Sequence, residues 1–89
     1  MELDLLVAGS RNLLVVEAKH RLNASHLPSF LEKLTELLQF FPEYAHYRLI
    51  PAVATVCIEP SMLTYLNHQK VYGIALNDDT MEVINAGQF

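Results

Sequence analysis

Two apolar runs, Leu3 to Ala8 and Leu13 to Ala18, stand on either side of Gly9-Ser10-Arg11-Asn12. A link that short makes two extended segments adjacent and antiparallel, because a parallel return needs a crossover of about a dozen residues or more. Gly and Asn suit the turn, since both tolerate positive φ. Neither run alternates cleanly between apolar and polar. That pattern predicts burial on both faces, as in the middle of a sheet covered by helices.

After Asn23 the period changes. Leu27, Phe30, Leu31, Leu34, Leu37, Leu38 and Phe41 fall on one stripe of an α-helix, with Glu32, Lys33, Glu36 and Gln39 off it. Ser25 is the predicted N-cap, Pro28 is tolerated in the first turn, and Pro42 ends the helix at about Phe41. Tyr47 to Ile58 reads as a third strand, either starting in earnest after Pro51 or bulged there. A short helix over Met62 to Gln69 follows, capped by Ser61. Val71 to Leu76 and Met81 to Ile84 then form strands around the turn Asn77-Asp78-Asp79-Thr80. The order β-β-α-β-α-β-β predicts an α/β domain of the α+β kind, with a mixed sheet under helical cover.

The 89 residues make a single domain, near the lower limit for a self-sufficient apolar core. With 52% apolar and 18% charged residues, so short a chain is expected to cover apolar surface by forming a homo-oligomer, a dimer in the simplest case. Cys57 lies within AVATVCI and predicts a buried thiol in a reducing compartment. Glu2 and Asp4 stand where a signal peptide would be basic, and no apolar run approaches the ~20 residues that span a bilayer. A cytoplasmic domain with no membrane partner is expected. The formal charge of -4 argues against sequence-independent affinity for nucleic acid, although Lys19, His20 and Arg21 form a local basic cluster.

That cluster abuts the candidate chemistry. A carboxylate inside the first run, Asp4, would be costly to bury alone, and the hairpin brings it near Glu17 at the end of the second. Lys19 has the strand parity of Glu17, so both side chains leave the same face. Glu17 has an ordinary explanation as an ion pair with Lys19 or Arg21. The sharper one has Asp4 and Glu17 sharing a Mg²⁺, with the Ala18 carbonyl as a further oxygen ligand and retained water as nucleophile. Lys19 would orient that water or stabilise charge on the scissile phosphate. His20 has the opposite parity. His26, His46 and His68 lack metal-ligand spacing, and the scattered tyrosines offer no evident stacking platform.

Asp4, then Glu17-Ala18-Lys19 after two short strands, then a long amphipathic helix, resembles the PD-(D/E)XK nuclease superfamily, the restriction-endonuclease-like fold. The likeness is closest to small members that read as an acidic apolar run, a turn, VVVVE-K, a helix FLEKL…FFPEY, a strand, a short helix and a final hairpin. Here FLEKL is Phe30 to Leu34 and FFPEY is Phe40 to Tyr44. The resemblance spans nearly the whole chain. It implies metal binding by Asp4, Glu17 and Ala18, a catalytic Lys19, contacts to nucleic acid through Lys19, His20 and Arg21, and Mg²⁺- or Mn²⁺-dependent hydrolysis of DNA or RNA. The usual core also has a leading helix and a first strand before the Asp-bearing strand. Neither is present here, so the expectation is a truncated core, incomplete at its N-terminus, kept either as an enzyme or as an inactive oligomeric interaction module. Lys70 is a second departure, standing where related chains often have Gly.

Overall fold

The computed structural model describes residues 5–89. β1 (Leu5–Ala8) pairs antiparallel with β2 (Asn12–Ala18), placing Leu5 opposite Val16 and Ala8 opposite Leu13. The Gly9 N–H donates to the Asn12 carbonyl at 2.8 Å and closes the turn. Helix α1 (His26–Phe40) and a 3-10 turn at Pro42–Tyr44 carry the chain back, so that β3 (Arg48–Thr55) lies parallel to β2. Helix α2 (Pro60–His68) makes the same crossover to β4 (Tyr72–Leu76), and β5 (Met81–Val83) returns antiparallel. The five-stranded mixed sheet runs in chain order, β1-β2-β3-β4-β5. The element order read from the sequence is the one observed.

Several local expectations differ. Ser25 is α-helical in backbone and makes no side-chain cap; Asn23 acts instead, its Oδ1 accepting from the Ser25 N–H at 3.1 Å and from the Ser25 hydroxyl. An Asn side chain closing a turn over the residue two further on is a common way to start a helix. Helix α2 begins with Pro60 in its first turn and Glu59 as N-cap, so Ser61 is inside the helix. Proline is favoured there because the lost N–H had no intrahelical partner.

Pro51 sits in mid-strand without a bulge, since the β2–β3 register runs unbroken from Asn12↔Arg48 to Ala18↔Ala54. The Arg48 N–H donates to Arg11 at 2.8 Å and the Ala54 carbonyl accepts from Lys19 at 2.8 Å, so even-numbered residues of β3 bond toward β2. Pro51 therefore faces the β4 side. Pairing with β4 begins only at Ala52↔Tyr72, so no ladder bond is lost.

The two faces of the sheet are unlike. Leu13, Val15 and Val53 pack against Leu27, Phe30, Leu34 and Leu37 of α1 and Met62 and Leu66 of α2. Both helices therefore cover one face. On the other stand Leu14, Val16, Ala52, Ala54, Ile74 and Leu76 with Tyr72, a cluster with no helical member among the described residues. Residues directly opposite in a ladder share a face, so Leu5, Val7, Met81 and Val83 extend that cluster, at 49%, 47%, 74% and 44% exposed. The predicted double-sided burial is not what forms: the continuous apolar runs supply one helix-covered face and one open face.

Helix α2 ends through paired bonds, Lys70 N–H to Asn67 O at 3.1 Å and Val71 N–H to Leu66 O at 2.9 Å. That closure places Lys70 at φ 58, a position Gly usually fills. Gly73, three residues further on in β4, has no room for a side chain: a Cβ would lie 2.8 Å from Ile58 Cδ1 and 3.2 Å from Leu66 Cδ1. Among the described residues no helix is long and apolar enough to cross a membrane.

Candidate functional site

Glu17 is the penultimate residue of β2 and turns toward the helices, between Val16 and Ala18 on the open side. It is 4% exposed. Burying a lone carboxylate costs several kcal/mol, so a cation must accompany it. The cation is Lys33 of α1, whose Nζ donates to Glu17 Oε1 at 2.5 Å. Lys33 follows Phe30 by three positions, at the margin of the buried stripe, so its stem lies against the sheet while 29% of the side chain stays exposed. Lys33 lies off the apolar stripe of the sequence, and its i+3 relation to Phe30 is the signal that places it at the stripe's edge.

The predicted residues fall around this pair. Lys19 lies one residue beyond β2, half-buried and on the parity of Glu17, with its N–H bonded to the Ala54 carbonyl. Neither Lys19 nor Arg21 makes the ion pair with Glu17 expected from proximity in the chain. Ala18 closes β2 and is exposed. Asp4 lies outside the described residues; β1 starts at Leu5, opposite Val16.

His20 and Arg21 are both exposed, and the loop they occupy is pinned by Thr55, a buried residue whose Oγ1 donates to the His20 carbonyl at 3.2 Å. With Val56, Cys57 and Glu59 they line a cavity of about 360 Å³ beyond the carboxyl ends of β2 and β3. Loops that follow strand ends commonly carry binding residues on a rigid scaffold. Cys57 is exposed there, contrary to the buried thiol expected, because β3 stops at Thr55 and the chain turns away before reaching it.

Glu17 and the Ala18 carbonyl are hard oxygen donors, of the kind magnesium takes. Among the described residues, no three His, Cys, Asp or Glu side chains converge where they could hold a metal ion. A magnesium site built on Glu17 therefore depends on Asp4 for its second carboxylate. Comparison with family models, with curated proteins and with solved structures finds no match for this chain.

Proposed function

We propose that this domain is a cytoplasmic, nuclease-like hydrolase that cleaves a phosphodiester bond of DNA or RNA with Mg²⁺, or Mn²⁺ in its place. The observation that carries the reading is Glu17, a nearly buried carboxylate at the carboxyl end of β2, three residues before the His20-Arg21 stretch that lines a cavity. Lys33 orients that carboxylate and balances its charge. Lys19 positions the attacking water or stabilises the phosphate, while His20 and Arg21 hold flanking phosphates. A metal bound by Asp4, Glu17 and the Ala18 carbonyl would supply a polarised phosphoryl oxygen and an acidified water.

Incubation of the chain with plasmid DNA and with single-stranded RNA tests this. Strand scission in Mg²⁺ or Mn²⁺, stopped by EDTA and abolished in Lys19→Ala with its circular dichroism unchanged, is the expected result. Cleavage that survives Lys19→Ala, or a wild-type chain inert in both metals, overturns it.

A second reading, an oligomeric interaction module on the same fold, rests on the open sheet face. Five strands ~4.8 Å apart and about five residues long, at ~3.3 Å each, give a face of about 24 by 17 Å. Two copies set face to face bury on the order of 800 Å² by these dimensions, so a stable contact, which clears about 1,000 Å², also takes in the rim of the face. The apolar centre of this face suits contact with its own copy, because a chain of charge -4 otherwise repels itself. Sedimentation of the wild type and of the Val7→Glu/Met81→Glu double variant decides it. Both positions are exposed, so the variant should fold and run as a monomer while the wild type runs as a dimer. A monomeric wild type rules the second copy out.

A further inference from the structure

At the opposite end of the parallel strands, the stretch Arg48 to Pro51 precedes the first β3–β4 pairing, at Ala52↔Tyr72. This leaves a notch where β3 has no neighbour on its β4 side. Proline at position 51 keeps the notch open, since it offers no N–H for an added strand to use. The notch is a cavity of about 280 Å³ lined by Arg48, Ile50, Pro51, Lys70, Tyr72 and Phe89. The Tyr72 and Phe89 rings lie 4.8 Å apart at 40°. Neither Arg48 nor Lys70 has an anionic partner among the described residues, where the ion pair formed is Lys33–Glu17.

Lys70 carries a second signal. It occupies the left-handed position after α2 at φ 58, which strains any residue with a Cβ and favours Gly. Folding alone would select Gly at that position. A lysine held there, lining one cavity with Arg48, Tyr72 and Phe89, has a use for the side chain.

We infer that the notch between Arg48 and Lys70, walled by the Tyr72–Phe89 ring pair, is a nucleotide-binding subsite. Two cations match the negative charge of a phosphate, and an aromatic wall matches the face of a base. The volume admits one nucleotide unit, free or at the end of a single strand. The subsite lies at the amino ends of β3 and β4, whereas Glu17 lies at the carboxyl end of β2, so it stands independently of the hydrolytic reading.

Fluorescence anisotropy of a labelled oligo(dT) hexamer, titrated with the chain in EDTA so that no cleavage intervenes, provides the test. Unlabelled hexamer, dTMP and inorganic phosphate serve as competitors. Binding should be displaced by the hexamer and not by phosphate at equal concentration. Displacement by dTMP as well assigns the site to free nucleotides, and its failure assigns the site to strands. Lys70→Gly should weaken binding about tenfold, in keeping with the loss of one charged contact to phosphate, while the melting temperature stays level or rises by a few degrees. Tyr72→Leu, which keeps the apolar bulk, should weaken it about ten- to hundredfold. Absence of binding at millimolar chain, displacement by phosphate alone, or wild-type affinity in both variants overturns the proposal. Retained stability with lost affinity in Lys70→Gly is a signature that a purely structural lysine would not give.

Discussion

Removing the two partners of the Glu17–Lys33 pair one at a time should not cost the same. Lys33→Met leaves the Glu17 carboxylate at 4% exposure without its ammonium partner. Breaking a buried pair from that side costs roughly 3 kcal/mol. Glu17→Gln removes a charge from beside an ammonium whose side chain is already 29% exposed, so its cost is nearer that of a surface pair, about 1 kcal/mol. The difference, on the order of 2 kcal/mol, corresponds to roughly 8–16 °C in melting temperature for a domain of this size. Urea denaturation of both variants at neutral pH, followed by circular dichroism, measures it. The double variant Glu17→Leu/Lys33→Met should recover most of the loss, because an apolar pair removes both desolvation costs. Equal costs for the two single variants, or a larger cost for Glu17→Gln, would refute the assignment of Glu17 as the buried partner and Lys33 as the one that reaches water.

Two further outcomes follow from the packing. Asn85 is fully buried; its Oδ1 accepts from the Gly73 N–H at 2.8 Å and its Nδ2 donates to the Val71 carbonyl at 3.0 Å and to Asn67 Oδ1 at 2.9 Å. Asn85→Ala should therefore cost roughly 3–4 kcal/mol in urea denaturation, three hydrogen bonds at about 1 kcal/mol each plus buried backbone groups left unpaired. Cys57 is exposed and should react with a disulfide reagent in the native chain at a rate within about tenfold of the unfolded one; a protected thiol would contradict the turn after Thr55.

The architecture was legible because its signals are local. The Gly9–Asn12 link allowed only a hairpin, and the Leu27 to Leu38 stripe allowed only a helix. What escaped depends on which elements meet. Continuous apolar character in Leu13 to Val16 reports that both faces of a strand avoid charge, but not that both crossover helices settle on the same side. The pairing of Lys33 with Glu17 was not legible because the two stand 16 positions apart in the chain. Pro51 looked like a break because the direction of its missing N–H depends on where β4 begins. Tyr72 and Phe89 looked unrelated for the same reason, their 4.8 Å contact being made across the end of the sheet. At the candidate site, the Glu17-Ala18-Lys19 order placed Glu17 at the end of a strand, where it lies, and helix α1 supplied the amine that the order had assigned to Lys19 or Arg21.

Whether Glu17 grips a hard divalent cation is best settled by titrating Mn²⁺ into the chain and following the electron paramagnetic resonance signal of the free ion. One ion bound per chain, lost in both Glu17→Gln and Asp4→Asn, is the predicted result. A wild-type titration no different from buffer, or a Glu17→Gln chain that binds as the wild type does, would contradict it.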